Sequence, residues 1–402
     1  MNDAILTALP AEPIEAVPAA LPPIALPVDA RLPRPAGPFG ALGALWQWFA
    51  SVTEWLFGAL AVMFGLALLA AIPILQFLSL GYLLEAGGRV ARTGRFRDGF
   101  IGIRLAARLG SIALGVWLAM WPLRLVATVA RAAYIIDPGG PTARGWQIGL
   151  TIVTALTALH LIGAISRGGQ LRYFFWPFNL IWLIRRLWRG GYYAESRDAV
   201  WNFAGSLRLP YYFWLGCRGF VGTMAWLVLP VTLIALGRAA PILGFLGAFL
   251  LAVVVLHLPF LQMHFVVENR LRAMFAWRTI RAGFRRAPWA YAFACFVTFA
   301  FALPLYLLKI EMVPRDVAWL PSLVFVAFIF PTRLLAGWAY GRSLRRDTPR
   351  HWFFRWTGRL WLVPTAGFYI LFVFLSQYTS WEGIWSLYEQ HAFLVPVPFM
   401  GM

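Results

Sequence analysis

Lysine is nearly missing from this chain: of 35 basic residues only Lys309 is a lysine, and the rest are arginine. Cysteine occurs twice, at Cys217 and Cys295, both within apolar runs, which excludes a disulfide framework and a cysteine-rich metal site. Acidic residues number 16, and none falls inside the long apolar segments, so paired-carboxylate chemistry in the membrane has no ligands there. Charged residues make up 13% of the chain, about half the share of a soluble domain. There is no P-loop, no HExxH, no serine with a base partner at a recognisable spacing, and no motif for a cofactor. Signatures of rhomboid-like and prenyl-protease-like intramembrane enzymes are missing as well. The start of the chain lacks the basic region and apolar core of a cleavable signal peptide, so insertion is expected to rely on the first spanning helix.

What the chain does contain is apolar surface. Apolar residues reach 61%, aromatic residues 17%, and the mean hydropathy is +0.70. Apolar runs of roughly 20 residues recur, each long enough to cross a bilayer. The fold class expected is therefore an all-α, polytopic transmembrane helical bundle. About eight crossings are predicted, at 55–84, 111–136, 145–165, 211–237, 241–267, 287–308, 317–341 and 360–381. Residues 1–38 hold nine prolines and read as a disordered tail. Residues 39–54, with Trp46 and Trp48, read as an interfacial segment. Residues 55–237 and 241–381 then form two membrane halves of four spans each, and 382–402 a non-cytoplasmic tail.

The net charge of +19 is distributed unevenly. Alternate loops carry six, seven, six and six arginines, whereas the three opposite loops offer only Arg144, Arg238, Lys309 and Arg315. By the positive-inside rule the arginine-rich loops are cytoplasmic and both termini lie on the other side. A second topology folds residues 41–84 into a tight double crossing and keeps the amino terminus inside. Nucleic-acid binding does not fit arginines clustered beside apolar segments; anionic membrane lipids are the partner this placement suggests. Protein partners and oligomeric state leave no mark in the sequence.

The basic loop at 166–210 contains an uncharged run of 12 residues, Tyr173 to Ile184, too short to span. It is predicted to lie along the interface, with Arg185, Arg186 and Arg189 on lipid phosphates. Residues 94–110 make a weaker case of the same kind.

Two stretches echo each other. "IPILQFLSLGYLLEAGGRVARTGR" (72–95) and "LPFLQMHFVVENRLRAMFAWRTIR" (258–281) pair Pro73 with Pro259, Gln76 with Gln262 and, after a three-residue gap, Glu85 with Glu268. Pro331 and Tyr340 echo Pro73 and Tyr82 more faintly. The echo reads either as a 4+4 parallel repeat or as shared composition. A proline within a spanning helix frees a carbonyl, and Gln76 and Gln262 are placed to answer it or to join a neighbouring helix.

Intramembrane ionisable groups are the natural candidates for function, each costing about 2.5–3.5 kcal/mol at a helix centre. Arg124 is the deepest by position; Arg131, Arg218 and Arg333 sit close enough to a boundary to snorkel. His257, His264 and Glu268 share nearly one helix face at i, i+7 and i+11. The outer two are roughly 16 Å apart, too far for one metal ion. A metal shared by His264 and Glu268, a proton relay along the stripe and plain helix packing all remain open. His160 is read as structural.

The stretches "GYLLEAGGRVARTGRFRDGF", "LRLPYYFWLG" and "LPLYLLKIE" resemble polytopic membrane proteins of bacteria that form a domain family of unknown function. That resemblance implies the fold class and a bacterial inner membrane, and carries over no catalytic residue. "RDGFIGIRLAAR" shares Asp-Gly and Ala-Arg elements with membrane CDP-alcohol phosphotransferases, but its spacing differs and the further aspartates are absent. The functional expectation is a carrier or transport-associated protein for an anionic solute or lipid. Alternatives are a non-enzymatic membrane scaffold and an intramembrane lipid-modifying enzyme.

Overall fold

In the computed structural model, residues 40–307, 319–380, 383–390 and 392–394 are described, and they form helices and turns without a strand. The calls on residues 1–38, on Lys309 and on Arg315 lie outside the described residues. Thirteen α-helices follow one another among the described residues. They are α1 (Gly40–Ala70), α2 (Gln76–Thr93), α3 (Ile103–Ile136), α4 (Pro141–Ser166), α5 (Leu171–Phe174), α6 (Asn179–Trp188), α7 (Tyr192–Ser206), α8 (Leu209–Leu236), α9 (Pro241–Glu268), α10 (Trp277–Arg286), α11 (Pro288–Leu307), α12 (Trp319–Leu344) and α13 (Trp352–Thr379). Eight of these, α1, α3, α4, α8, α9, α11, α12 and α13, are long and apolar enough to cross a membrane. The protein is a multi-pass membrane protein.

The first crossing differs from the expected single helix at 55–84. Helix α1 begins at Gly40, continuing without a break from the stretch expected at the interface into the first crossing, and it ends at Ala70. Pro73 supplies no N–H to carry the helix on, and Ile74 takes φ 71°, a left-handed conformation that reverses the chain. Ser79 Oγ on α2 then donates back to the Leu66 carbonyl at 2.7 Å. Further along, the Trp55 ring meets Phe100, beyond the end of α2, with centroids 4.9 Å apart. Helices α1 and α2 therefore run antiparallel, in the manner of the double crossing. Gly110 of α3 packs on Ala61 and Phe57, so the start of α3 runs alongside α1.

Helix α2 has 18 residues, of which 12 are buried, and it forms the hub of the bundle. Its mean hydropathy is too low for a lipid-facing span because Glu85, Arg89 and Arg92 lie in it; neighbouring helices cover it instead. Small residues let those neighbours come close. Gly81 meets Gly216 of α8, and Gly87 meets Gly337 of α12, where a Cβ on Gly337 would lie 2.0 Å from the Gly87 carbonyl oxygen. Helices α9, α11 and α13 complete a core that includes Phe260, Tyr291, Phe299, Phe330 and Tyr369.

Helices α3 and α4 stand outside this core. Of its 34 residues, α3 buries only Ala107, Gly115 and Ala130. Trp117, Trp121, Ile148 and Ile152 are exposed, as expected where hydrocarbon is the surrounding solvent. The basic loop forms α5, α6 and α7. Ten residues give α6 a length of about 15 Å, too short to cross. Asn179 and Leu183 face inward at i, i+4 while its arginines face out.

The sequence echo does not carry through to the backbone. Pro73 sits in the reversal between helices, whereas Pro259 lies inside the unbroken α9. Glu85 is buried and Glu268 exposed. The two stretches are not structurally equivalent, and the 4+4 repeat loses its best alignment.

Candidate functional site

Arg333 lies 14 residues into α12, about 21 Å along its axis, and is 2% exposed. It follows Pro331 by two residues, in the part of α12 that α2 and α9 cover. Its Nη1 donates to Gln262 Oε1 and its Nη2 to the Phe393 carbonyl at 2.6 Å. Nε has no partner. No carboxylate pairs with Arg333 among the described residues, so its charge rests on two neutral oxygens.

Gln262 is fully buried and works in both directions. Its Nε2 donates to Thr223 Oγ1 on α8 at 2.8 Å and to the Phe393 carbonyl at 3.0 Å. The Phe393 carbonyl therefore accepts from both the amide and the guanidinium. This is a role for Gln262 other than answering the carbonyl freed by Pro259.

Phe393 reaches this depth because the chain turns back after α13. The described parts of the carboxy-terminal segment, 383–390 and 392–394, fold into the bundle. Ser386 contacts Ser376 at 3.3 Å, and Tyr388 contacts Thr232 at 2.8 Å. Tyr369 donates to Gln390 Oε1 at 3.0 Å. Phe393 then packs edge-on against the stacked pair of Phe299 and Tyr369. The segment enters from the end of the bundle opposite the arginine-rich loops and brings the Phe393 carbonyl to Arg333.

The expected site residues are dispersed. Arg124 is on the exposed face of α3, away from the polar core, and so is not the central cation. Arg218 reaches Asn269, donating to its Oδ1 at 2.9 Å, and is only half-buried, as a snorkelling residue is. Arg333, expected to do likewise, is enclosed. Its position shortly before Gly337, where α2 packs backbone to backbone, is the sequence signal for that burial; a main-chain acceptor at Phe393 leaves no signal at all.

Glu85 accepts from Arg92 Nη2 at 2.5 Å, Arg89 Nε at 3.4 Å and Tyr211 Oη at 2.9 Å. That network ties the basic end of α2 to α8. Gln76 is buried with its Oε1 unpartnered. His257 Nδ1 meets the Val253 carbonyl at 2.7 Å, and His264 Nδ1 meets Tyr340 Oη at 2.8 Å. No hydrogen bond joins the two histidines, and Glu268 is exposed, so the stripe is not a connected relay. Among the described residues no three of His, Cys, Asp and Glu come together as metal ligands. His160 bonds the Phe174 carbonyl at 3.0 Å, holding α4 against α5. On α6, Arg186 pairs with Glu195, while Arg185 and Arg189 are exposed.

The basic end carries a second feature. A cavity of about 440 Å³ is bordered by Arg342, Arg346 and Arg350 with Trp289, Trp338 and Phe354. Arg346 is held below the ordinary guanidinium value, by desolvation first and then by the like charges of Arg350 and Arg342. Arg346 also donates to the Arg286 carbonyl at 3.3 Å.

The arrangement around Arg333 brings together a desolvated cation, an amide, a hydroxyl and a main-chain carbonyl. A guanidinium is the cation whose geometry matches carboxylate and phosphate. No protein-family model matches the chain, and neither the curated proteins nor the solved structures compared with it give a match.

Proposed function

We propose that the protein is a carrier, or the membrane component of one, that accommodates an anionic solute or lipid at Arg333. One observation carries this reading: a fully buried guanidinium has no carboxylate partner among the described residues and spends one donor on a carbonyl of the chain's own carboxy-terminal segment. An incoming carboxylate or phosphate that replaces Phe393 would form a charge-assisted bond, stronger than the one it displaces. Withdrawal of residues 383–394 would open the site from one side of the bundle. Many carriers place their binding site near the middle of the helical bundle.

Orientation follows from charge. The arginine-rich loops are cytoplasmic in this reading, within a bacterial inner membrane as the sequence resemblance implies. Antiparallel packing of α1 on α2 then keeps Trp55 near the cytoplasmic face, which favours the double-crossing topology.

The test is anion flux in proteoliposomes. Wild-type protein is expected to move a small organic anion or an anionic lipid probe, and Arg333→Leu to abolish movement; equal flux by both would overturn the reading. A scaffold is favoured by a different observation, the lipid-exposed surface of α3 and α4. In that case Trp121→Ala with Leu125→Ala would release a co-purifying membrane partner while the flux assay stayed silent.

A further inference from the structure

A cavity of about 460 Å³ lies between α9, α10, α11 and α13, and shares no lining residue with the 440 Å³ cavity. Its floor is apolar, with Leu256 and Leu362, and His257 lies in its wall. Three guanidinium groups border it, those of Arg281, Arg285 and Arg359. No acidic residue lines it, and none of the three arginines forms an ion pair among the described residues.

Geometry fixes how these charges are presented. The Arg281 guanidinium carbon lies 5.0 Å from the Trp277 ring centre, and that of Arg359 lies 5.9 Å from Phe284. A guanidinium resting on a ring keeps its edge N–H groups free to donate. His257 adds a defined polarity. Its Nδ1 must carry the proton, because the Val253 carbonyl at 2.7 Å can only accept. Nε2 therefore offers a lone pair in the neutral ring, and a second donor when protonated. Helix α10 brings Arg281 and Arg285 to one side by their i, i+4 spacing, while buried Ile280 and Gly283 hold its opposite face to the bundle.

We propose that this cavity binds a phosphate group, carried on a phospholipid headgroup or free in solution. Guanidinium forks match the oxygens of phosphate, and an apolar floor beside them suits the first methylenes of an acyl chain. The site is distinct from Arg333 and does not depend on the carrier reading.

Calorimetric titration of the full-length protein in a maltoside detergent tests it, with short-chain phosphatidylglycerol, short-chain phosphatidylcholine and inorganic phosphate as probes. Wild-type protein is expected to bind phosphatidylglycerol at least tenfold more tightly than phosphatidylcholine. If inorganic phosphate competes at similar affinity, the ligand is a free phosphate; if it does not, the ligand is the lipid. R281Q/R285Q/R359Q should weaken binding at least tenfold, and since all three side chains are exposed the bundle should stay folded. Val363→Trp, which fills the cavity from α13 and removes no charge, should weaken the lipid probe similarly. R131Q/R144Q, two exposed arginines of α3 and α4 that do not line the cavity, should change affinity less than twofold. No binding of phosphatidylglycerol or phosphate by wild-type protein, or equal losses from R131Q/R144Q and the cavity triple variant, would overturn the proposal.

Discussion

Gln262 on α9 receives a hydrogen bond from Arg333 on α12 while donating to Thr223 on α8, so one carboxamide joins three helices around one charge. Gln262→Leu removes that oxygen and leaves Nη1 buried without an acceptor. Hydrogen bonds to charged groups contribute about 1.5–3 kcal/mol, so stability should fall by about that amount. Gln262→Glu keeps the acceptor and its carboxylate neutralises Arg333, which offsets the loss of the Nε2 bonds to Thr223 and Phe393. That variant should remain folded, elute as a single species and lose anion flux. Loss of flux with retained stability separates a binding role for the guanidinium from a purely structural one.

The carboxy-terminal segment should control access to Arg333. Deleting the chain from Glu382 onward removes the Tyr388–Thr232 and Gln390–Tyr369 contacts and the Phe393 carbonyl. Phenylglyoxal modification of Arg333, followed by mass spectrometry of its peptide, should then speed up at least tenfold, with Arg218 unchanged. Unaltered protection of Arg333 would show that the helices themselves enclose it.

Much of the fold was legible because lipid imposes simple requirements. A nearly uniform apolar segment such as that of α9 announces its length directly, 241–267 expected against Pro241–Glu268 found, and the placement of arginines separates one end of the bundle from the other. Helix α2 was harder to read. Its charged residues and 18-residue length belong to a helix whose surroundings are protein, and burial of that kind depends on partners far away in sequence, such as Tyr211 and Gly337. The candidate site was legible only in part. Gln262 stood out as a polar residue beside a proline, whereas Arg124 outranked Arg333 by its distance from the boundaries. Depth along a helix can be counted in sequence; the direction a side chain faces around a nearly featureless apolar helix cannot.

The contact between α2 and α12 sets a sharper stability test. Gly337→Ala places a Cβ 2.0 Å from the backbone oxygen of Gly87, an atom that cannot rotate away. Relief requires the helices to separate, carrying Arg333 away from Gln262. Overpacking of this severity typically costs about 1–3 kcal/mol or more, and Gly337→Val should prevent recovery of folded protein. Gly145→Ala on α4 is the control: nothing lies within 4 Å of its added methyl, and helix propensity should make it neutral or slightly stabilising. Thermal unfolding in detergent reads both.

The reversal at Pro73 makes a topological prediction. If Ile74 turns the chain, residues on either side of α2 emerge at opposite ends of the bundle. Ile74 is 65% exposed and lies before α2, while Asp98 follows it in the arginine-rich segment. In a background of Cys217→Ser and Cys295→Ala, Ile74→Cys should react with a membrane-impermeant maleimide from one side of sealed vesicles and Asp98→Cys only from the other. A cysteine at Ser51, in the first half of α1, should share the side of Asp98, because the Trp55 and Phe100 rings meet. A single long crossing from 55 to 84 would instead put Ser51 opposite Asp98 and leave Ile74 buried in hydrocarbon and unreactive from either side. The two labelling patterns differ at both Ile74 and Ser51, so three single-cysteine variants decide between a hairpin and a rod.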